Sequence, residues 1–246
     1  MICGIFFNQI TIMNAAKFIE KLSTFRNEKE IDKVEKFFKG NDGITKHFRV
    51  RFGDVFKTAE EFSALSLEEI NTLLDNDFYE VRMGAVSIMS FQAGNKKTPE
   101  EKKKELFDLY LQRHDRLNNW DFVDRGARNI IGNYLMDKPR DILYQLAESE
   151  NPWERRTAIV STHAFIRKND VEDTFKIAEI LVHDPHELVN KAVGSWIREA
   201  GKKNPKRLYY FLDQYARTMP AITFSYATEK LDPEMKKQYK ELRKEK

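Results

Sequence analysis

Between Ile70 and Ile197 the apolar residues recur at helical spacing in paired short segments, with polar residues at each break. The first segment of a pair carries Ile70, Leu73 and Leu74, then Ile142, Leu143 and Leu146, then Ile177, Ile180 and Leu181. The second is richer in small and branched residues: Ala85, Val86, Ile88 and Met89; Ala158, Ile159 and Val160; Ala192, Val193, Trp196 and Ile197. A short polar residue with Glu three places on opens these second segments, at Asp77-Phe78-Tyr79-Glu80, Asn151-Pro152-Trp153-Glu154 and Asp184-Pro185-His186-Glu187. That is the pattern of a capping box, in which the polar side chain and the Glu satisfy each other's backbone amides. Pro at the first helical position in two of the three agrees with it. Asn119 is the expected N-cap of a further helix.

The caps at 119, 151, 184 and 218 stand 32, 33 and 34 residues apart. Asp77 lies 42 residues before Asn119, and the charged stretch 95–104 occupies the surplus. A period of this length with two helices per unit predicts an all-α chain. The expected architecture is an α-solenoid of stacked helix pairs, with the second helices lining a concave inner surface. Towards the N-terminus, Phe18, Ile19, Leu22, Val34, Phe37 and Phe38 predict two short helices broken near Asn27, followed by a turn at Gly40-Asn41-Asp42-Gly43. Asp54 is expected to cap a helix through Phe62. The reading is a single repeat domain over 13–240, with a ragged start over 1–12 and a charged tail over 241–246.

Composition narrows the function more by exclusion than by indication. The 246 residues are 33% charged and 41% hydrophobic, with 10 Gly and 7 Pro, the profile of a helical, water-soluble chain. Lys and Arg number 42 against 39 acids, so the net charge of +3 announces no polyanion partner by itself. A lone Cys3 excludes an intramolecular disulfide and a cysteine-based zinc site, and fits a reducing, cytoplasmic setting. No run approaches the ~20 apolar residues of a membrane span. His183 and His186 share a helix face but lack a carboxylate partner, and neither a Gly-rich phosphate loop nor a serine or cysteine nucleophile motif occurs. No metal, cofactor or membrane is therefore expected. His47, His114 and His163 read as isolated structural residues, and Tyr209, Tyr210, Tyr215 and Tyr226 as core.

The chemistry centres on Asn118-Asn119-Trp120-Asp121-Phe122-Val123-Asp124. Trp120 and Asp124 stand at i and i+4, so ring and carboxylate share one helical face, a surface suited to a flat cation. A half-buried Trp beside a dipole-stabilised acid is the plainer alternative. Five residues beyond each cap come Arg82, Asp124, Arg156, Val189 and Thr223. If the units superpose, these form a row in which a lone acid sits between two arginines. Arg128, Arg155, Lys191 and Arg198 add charge nearby, and Arg49 and Arg51 lie in a basic, aromatic-laced connection upstream. Such a groove reads either as a track for a phosphate backbone or as an ordinary solvated surface.

Three stretches resemble the DNA alkylation repair proteins with HEAT-like repeats, the AlkD family. They are Trp120-Asp121-Phe122-Val123-Asp124, Trp153-Glu154-Arg155-Arg156-Thr157-Ala158, and Asn190-Lys191-Ala192-Val193-Gly194 with Ile197-Arg198-Glu199. The resemblance covers the chain from about Met13 to Tyr239. It implies a right-handed solenoid with a concave basic groove. It also implies a monofunctional, monomeric DNA glycosylase that releases cationic N3- and N7-alkylated purines from duplex DNA. Carried over, Asp124 is the catalytic anion, Trp120 one aromatic wall and Arg156 a phosphate clamp; with the groove read as a phosphate track, Arg82, Arg155, Arg128, Lys191, Arg198, Arg49 and Arg51 are the expected DNA contacts. Relatives carry Trp directly after the Lys-Ala-Val-Gly segment, where this chain has Ser195. Trp196, one place on and about 100° round the helix, is assigned as the second wall, with a turn into the core as the alternative. Two other readings of the same fold remain: a non-catalytic binder of distorted or branched DNA, and a protein-binding scaffold.

Overall fold

The computed structural model describes residues 13–30 and 44–244. Among these, every named element is helical, and the one strand-like pairing is an isolated parallel bridge between Lys46 and Phe78. In order, the helices are α1 (Ala15–Ser23), α2 (Phe52–Glu61), α3 (Leu67–Leu74), α4 (Tyr79–Gly94), α5 (Glu100–Gln112), α6 (Trp120–Ala127) and α7 (Asp141–Ala147). They continue as α8 (Pro152–Ser161), the single turn α9 (His163–Ile166), α10 (Glu172–Leu181), α11 (Glu187–Lys203), α12 (Pro205–Tyr215), α13 (Ala221–Ala227) and α14 (Pro233–Leu242). No helix among the described residues is long and apolar enough to cross a membrane. The expected segments 1–12, the helix around Val34, Phe37 and Phe38, the turn at 40–43 and the last residues of the tail lie outside the described residues.

The helices form two layers. In one, α4 packs on α6, α6 on α8, α8 on α11 and α11 on α13; in the other, α3, α7, α10 and α12 back them. Burial explains which sequence goes where. Helix α4 is enclosed by α2, α3 and α6, and every residue from Tyr79 to Ser90 is buried, which is why its hydrophobic pattern runs round all faces. Phe122, Tyr110, Phe165, Phe175 and Phe211 are almost wholly withdrawn from water and tie the layers together. Where α11 crosses α13, a Cβ added to Gly194 would lie 2.6 Å from the Thr223 carbonyl, so only glycine allows this approach. The crossing sets the height at which Ser195 and Trp196 leave α11.

The caps depart from the capping-box expectation in a consistent way. Asn151 does cap α8, accepting from the Trp153 amide at 3.0 Å, with Pro152 at the first position. At the other two boxes the acid sits before the true cap: Phe78 caps α4 and His186 caps α11. Asp184 instead accepts from the His186 amide at 2.8 Å and holds Arg155. Glu80 turns away from its own helix end, and its carboxylate accepts the amides of Phe48 and Arg49 at 2.7 Å and of Val50 at 3.3 Å. Three successive amides converge on it because Arg49 adopts a positive φ of 66°. Further corrections follow the same lines: Arg51, not Asp54, precedes α2, and Pro220, not Thr218, precedes α13.

Candidate active site

The N-terminal turn of α6 carries both Trp120 and Asp124 to the wall of a groove of about 540 Å³. Trp120, Asp124, Arg156, His163, Ser195 and Trp196 line it, with Tyr226, Lys191, Arg198 and Glu199 towards its rim. Asp124 keeps 37% of its side chain exposed, whereas the Arg156 side chain keeps only 8%. Arg156 Nη2 donates to both Asp124 oxygens at 2.9 Å, and Nε donates to Oδ1 at 3.1 Å. Its remaining terminal nitrogen is taken by the Leu188 carbonyl at the start of α11. A two-point pair of this kind fixes the carboxylate's plane as well as its charge. Loss of water in the groove wall pushes the Asp124 carboxyl above the ordinary aspartate value, and Arg156 pulls it back in part.

Trp196 faces the groove. Its indole stacks on the His163 imidazole with centroids 4.6 Å apart and planes 26° apart. His163 therefore serves as the back support of an aromatic wall, a role its apparent isolation in the sequence concealed. Burial, followed by Arg128 and Arg167, lowers the His163 pKa and keeps the ring neutral against the indole. Tyr226, expected in the core, reaches the same groove from α13.

A second acid lies behind the first turn of α6. Asp121 accepts from the Tyr79 hydroxyl, from Asn119 Nδ2 at 2.7 Å and from the Phe122 amide at 3.0 Å. Asn119 also donates to the Tyr79 oxygen at 2.9 Å, so its side chain is spent on this network instead of on capping α6. Burial pushes the Asp121 carboxyl up to about 6 despite these donors. Tyr79 belongs to α4, and α6 is thus anchored to α4 by a polar cluster at its first turn.

A model described as DNA alkylation repair enzyme matches residues 18–231. The chain belongs to that family. Its role is in DNA alkylation repair, and the resemblance to the AlkD family is borne out. Among solved structures, a predicted DNA alkylation repair enzyme from Enterococcus faecalis is 14% identical, with a TM-score of 0.66 over 85% of this chain and 97% of that one. AlkD2 from Streptococcus mutans is 20% identical, with a TM-score of 0.55 over 89% and 97%. The smu.31 protein of Streptococcus mutans UA159 gives the same identity and score over 89% and 98%. These three share the fold. No curated protein matches the chain.

Within this family member the structure separates the nominated basic residues into two groups. Lys191 and Arg198 line the groove, Lys191 paired with Glu187 and Arg198 with Glu199 and Glu229. Arg128 lines an adjoining cavity. Arg51 is exposed at the start of α2, and Arg49 pairs with Glu28. Arg82 and Arg155, by contrast, direct their guanidinium groups to the protein itself. Arg82 is buried and donates to Thr45 Oγ1 at 2.7 Å, Asn118 Oδ1 at 3.2 Å and the Arg116 carbonyl at 3.3 Å. Arg155 is bound by Asp184 and by the Ser149 and Glu150 carbonyls, each at 2.8 Å. Arg156, expected to clamp a phosphate, is buried with all its nitrogens engaged and acts as the holder of Asp124. The anticipated row also changes character: Val189 and Thr223 are buried as well, leaving Asp124 as its one exposed member. Two of its members, Asp124 and Arg156, meet directly across α6 and α8.

Proposed function

We propose that the protein is a monofunctional DNA glycosylase that releases cationic N3- and N7-alkylated purines from duplex DNA. The observation that carries this reading is the exposed Asp124 carboxylate, locked by Arg156, in one groove with Trp120 and Trp196. The stacked helix pairs are read as a right-handed HEAT-like solenoid acting as a monomer, with this groove on its inner, basic face.

A cationic base is already a good leaving group. The bond between the sugar and the base nitrogen breaks with its electron pair moving to the base, which departs neutral. The developing oxocarbenium charge of the sugar lies against Asp124, and a water adds to it, giving up its proton to the carboxylate or to solvent. Two indoles present negative ring faces to the cationic base, an attraction that grows as water is excluded. No metal or cofactor is required for these steps. The deciding experiment incubates methylated duplex DNA with wild type and with Asp124→Asn and follows release of 7-methylguanine and 3-methyladenine. Release by wild type that is lost in the variant supports the assignment. Tight, salt-sensitive duplex binding without release would instead indicate a non-catalytic DNA binder.

A further inference from the structure

Beside the groove lies a second cavity of about 340 Å³, separated from it by Asp124, His163 and Trp196, which line both. Its other walls include Arg125, Arg128 and Asn129, from the end of α6 and the π-turn that follows. The arginines here differ from their neighbours. Arg82, Arg155, Arg156 and Arg198 all spend terminal nitrogens on carbonyls, carboxylates or side-chain oxygens of the protein. Arg125 gives its Nε to Ser87 Oγ at 3.0 Å and Arg128 its Nε to Asn129 Oδ1 at 3.1 Å. Among the described residues neither guanidinium has an ion-pair partner, and no protein acceptor takes their terminal nitrogens.

Arg125 is also rigidly held. Its guanidinium lies 4.3 Å from the Phe56 ring centroid and 4.8 Å from that of Phe91, between two aromatic faces that fix its plane and strip its hydration. The nearby carboxylate does not discharge the cavity, because Asp124 is already neutralised by Arg156. Burial and then the like charge of Arg128 lower the Arg125 pKa, as expected where two cations share a space with no anion of their own. Paired planar forks with unused donors match the oxygens of a phosphate better than any single point charge would.

We propose that this cavity is a phosphodiester site, in which Arg125 and Arg128 take the DNA backbone phosphate adjoining the nucleotide whose sugar lies against Asp124. The shared wall gives the reason: a strand with its sugar at Asp124 continues through its phosphate into the neighbouring space. The inference rests on the proposed lesion site for the identity of that phosphate, and it replaces Arg156 as the clamp.

The test measures binding by fluorescence anisotropy on duplexes containing one stable abasic analogue, with a neutral methylphosphonate placed at each flanking phosphate in turn. Wild type is expected to lose about 10-fold in affinity at one position, the scale of a lost charge-assisted contact. Arg128→Gln should lose part of that on the unmodified duplex, lose less than wild type at that position, and show a salt slope shallower by about one charge. Arg125→Gln should repeat the pattern; Arg128→Gln alone is decisive if removing Arg125 from between its rings prevents folding. The proposal is overturned if every methylphosphonate costs wild type and Arg128→Gln the same, or if wild type does not bind the duplex. It is equally overturned if inorganic phosphate alone raises the melting temperature of wild type but not of Arg128→Gln while the DNA coupling is absent, which marks a free-phosphate site. Because the readout is binding, loss of the glycosylase reading with the coupling intact would leave the subsite standing.

Discussion

Arg156 grips Asp124 from behind, through Nη2 at 2.9 Å from both oxygens and Nε at 3.1 Å from one. The pair leaves the carboxylate's other side open to the groove, so a buried cation orients an exposed anion. Two opposing effects meet at that anion: loss of water raises its pKa, and Arg156 lowers it. On the proposed glycosylase reading, excision needs the ionised form, which exists above the folded pKa, so the acid limb of the pH–rate profile should lie above the ordinary aspartate value. Asp124→Asn should lower excision by about 10²–10³-fold, the scale of losing one preorganised electrostatic group, while duplex affinity changes little. Arg156→Gln removes the lowering partner and should move the acid limb to higher pH. An unchanged limb in that variant would show that Asp124 is not the titrating group.

The two tryptophans should select charge. On an Asp124→Asn background, which holds the lesion intact, Trp120→Ala and Trp196→Ala are each expected to weaken binding of a 7-methylguanine duplex by about 3- to 30-fold. The same substitutions should weaken binding of a neutral 7-deaza-7-methylguanine duplex much less, since that base has the shape without the charge. Equal losses on both duplexes would reduce the indoles to apolar surface. Trp196→Phe, which keeps a ring for His163 to stack on, should retain part of the discrimination.

The repeat spacing carried more of this site than the individual residues did. His163 stands 33 residues before Trp196, and Trp153 stands 33 before His186; both pairs meet ring to ring, with centroids 4.6 and 5.3 Å apart. Applying the period to Trp196 would have found His163, which looks idle when read alone. The helix pairs and the order of motifs were legible because burial imposes the 3.6-residue pattern locally. The fate of each arginine was not legible. Arg82, Arg155 and Arg128 are indistinguishable in sequence, and whether a guanidinium meets water or a carbonyl depends on which repeat's loop crosses it. Helix starts slipped for a related reason: Asp77 and Asp184 have cap chemistry, but Asp184 is claimed by a neighbouring arginine and by a turn one step earlier.

Asp121 imposes a stability cost that depends on pH. Its folded pKa of about 6 lies above the unfolded value of 3.8. The folded state therefore binds more protons between these values, and its stability falls as pH rises through that window. The shift of roughly two units corresponds to about 3 kcal/mol at neutral pH. Asp121→Asn keeps an acceptor for Tyr79 and removes the charge. Denaturant unfolding at pH 4.5 and pH 7 should show wild type losing stability relative to the variant on going to neutral pH. A gap between the two proteins that does not change with pH would mean that Asp121 is not desolvated as described.

Glu80 works in the opposite sense, as a buried anion that the fold is built to receive. It is fully buried, yet three consecutive amides, those of Phe48, Arg49 and Val50, point at its two oxygens. Among the described residues the segment reaching from Lys46 to α2 pairs with a strand only through the single bridge to Phe78, and this carboxylate accepts three of its backbone amides. Glu80→Gln replaces one acceptor oxygen by an NH2 group that must face an amide donor. The expected cost is about 2–3 kcal/mol, since a buried donor is left unmet and a charge-assisted bond is lost. The loss should be local first: hydrogen exchange at Phe48, Arg49 and Val50 should accelerate well before that of α8 or α11. Because Arg51 and α2 follow directly, any duplex affinity that Arg51 supplies should fall while the Asp124–Arg156 pair stays intact. If exchange at those three amides is unaffected in Glu80→Gln, the carboxylate is not what organises the turn.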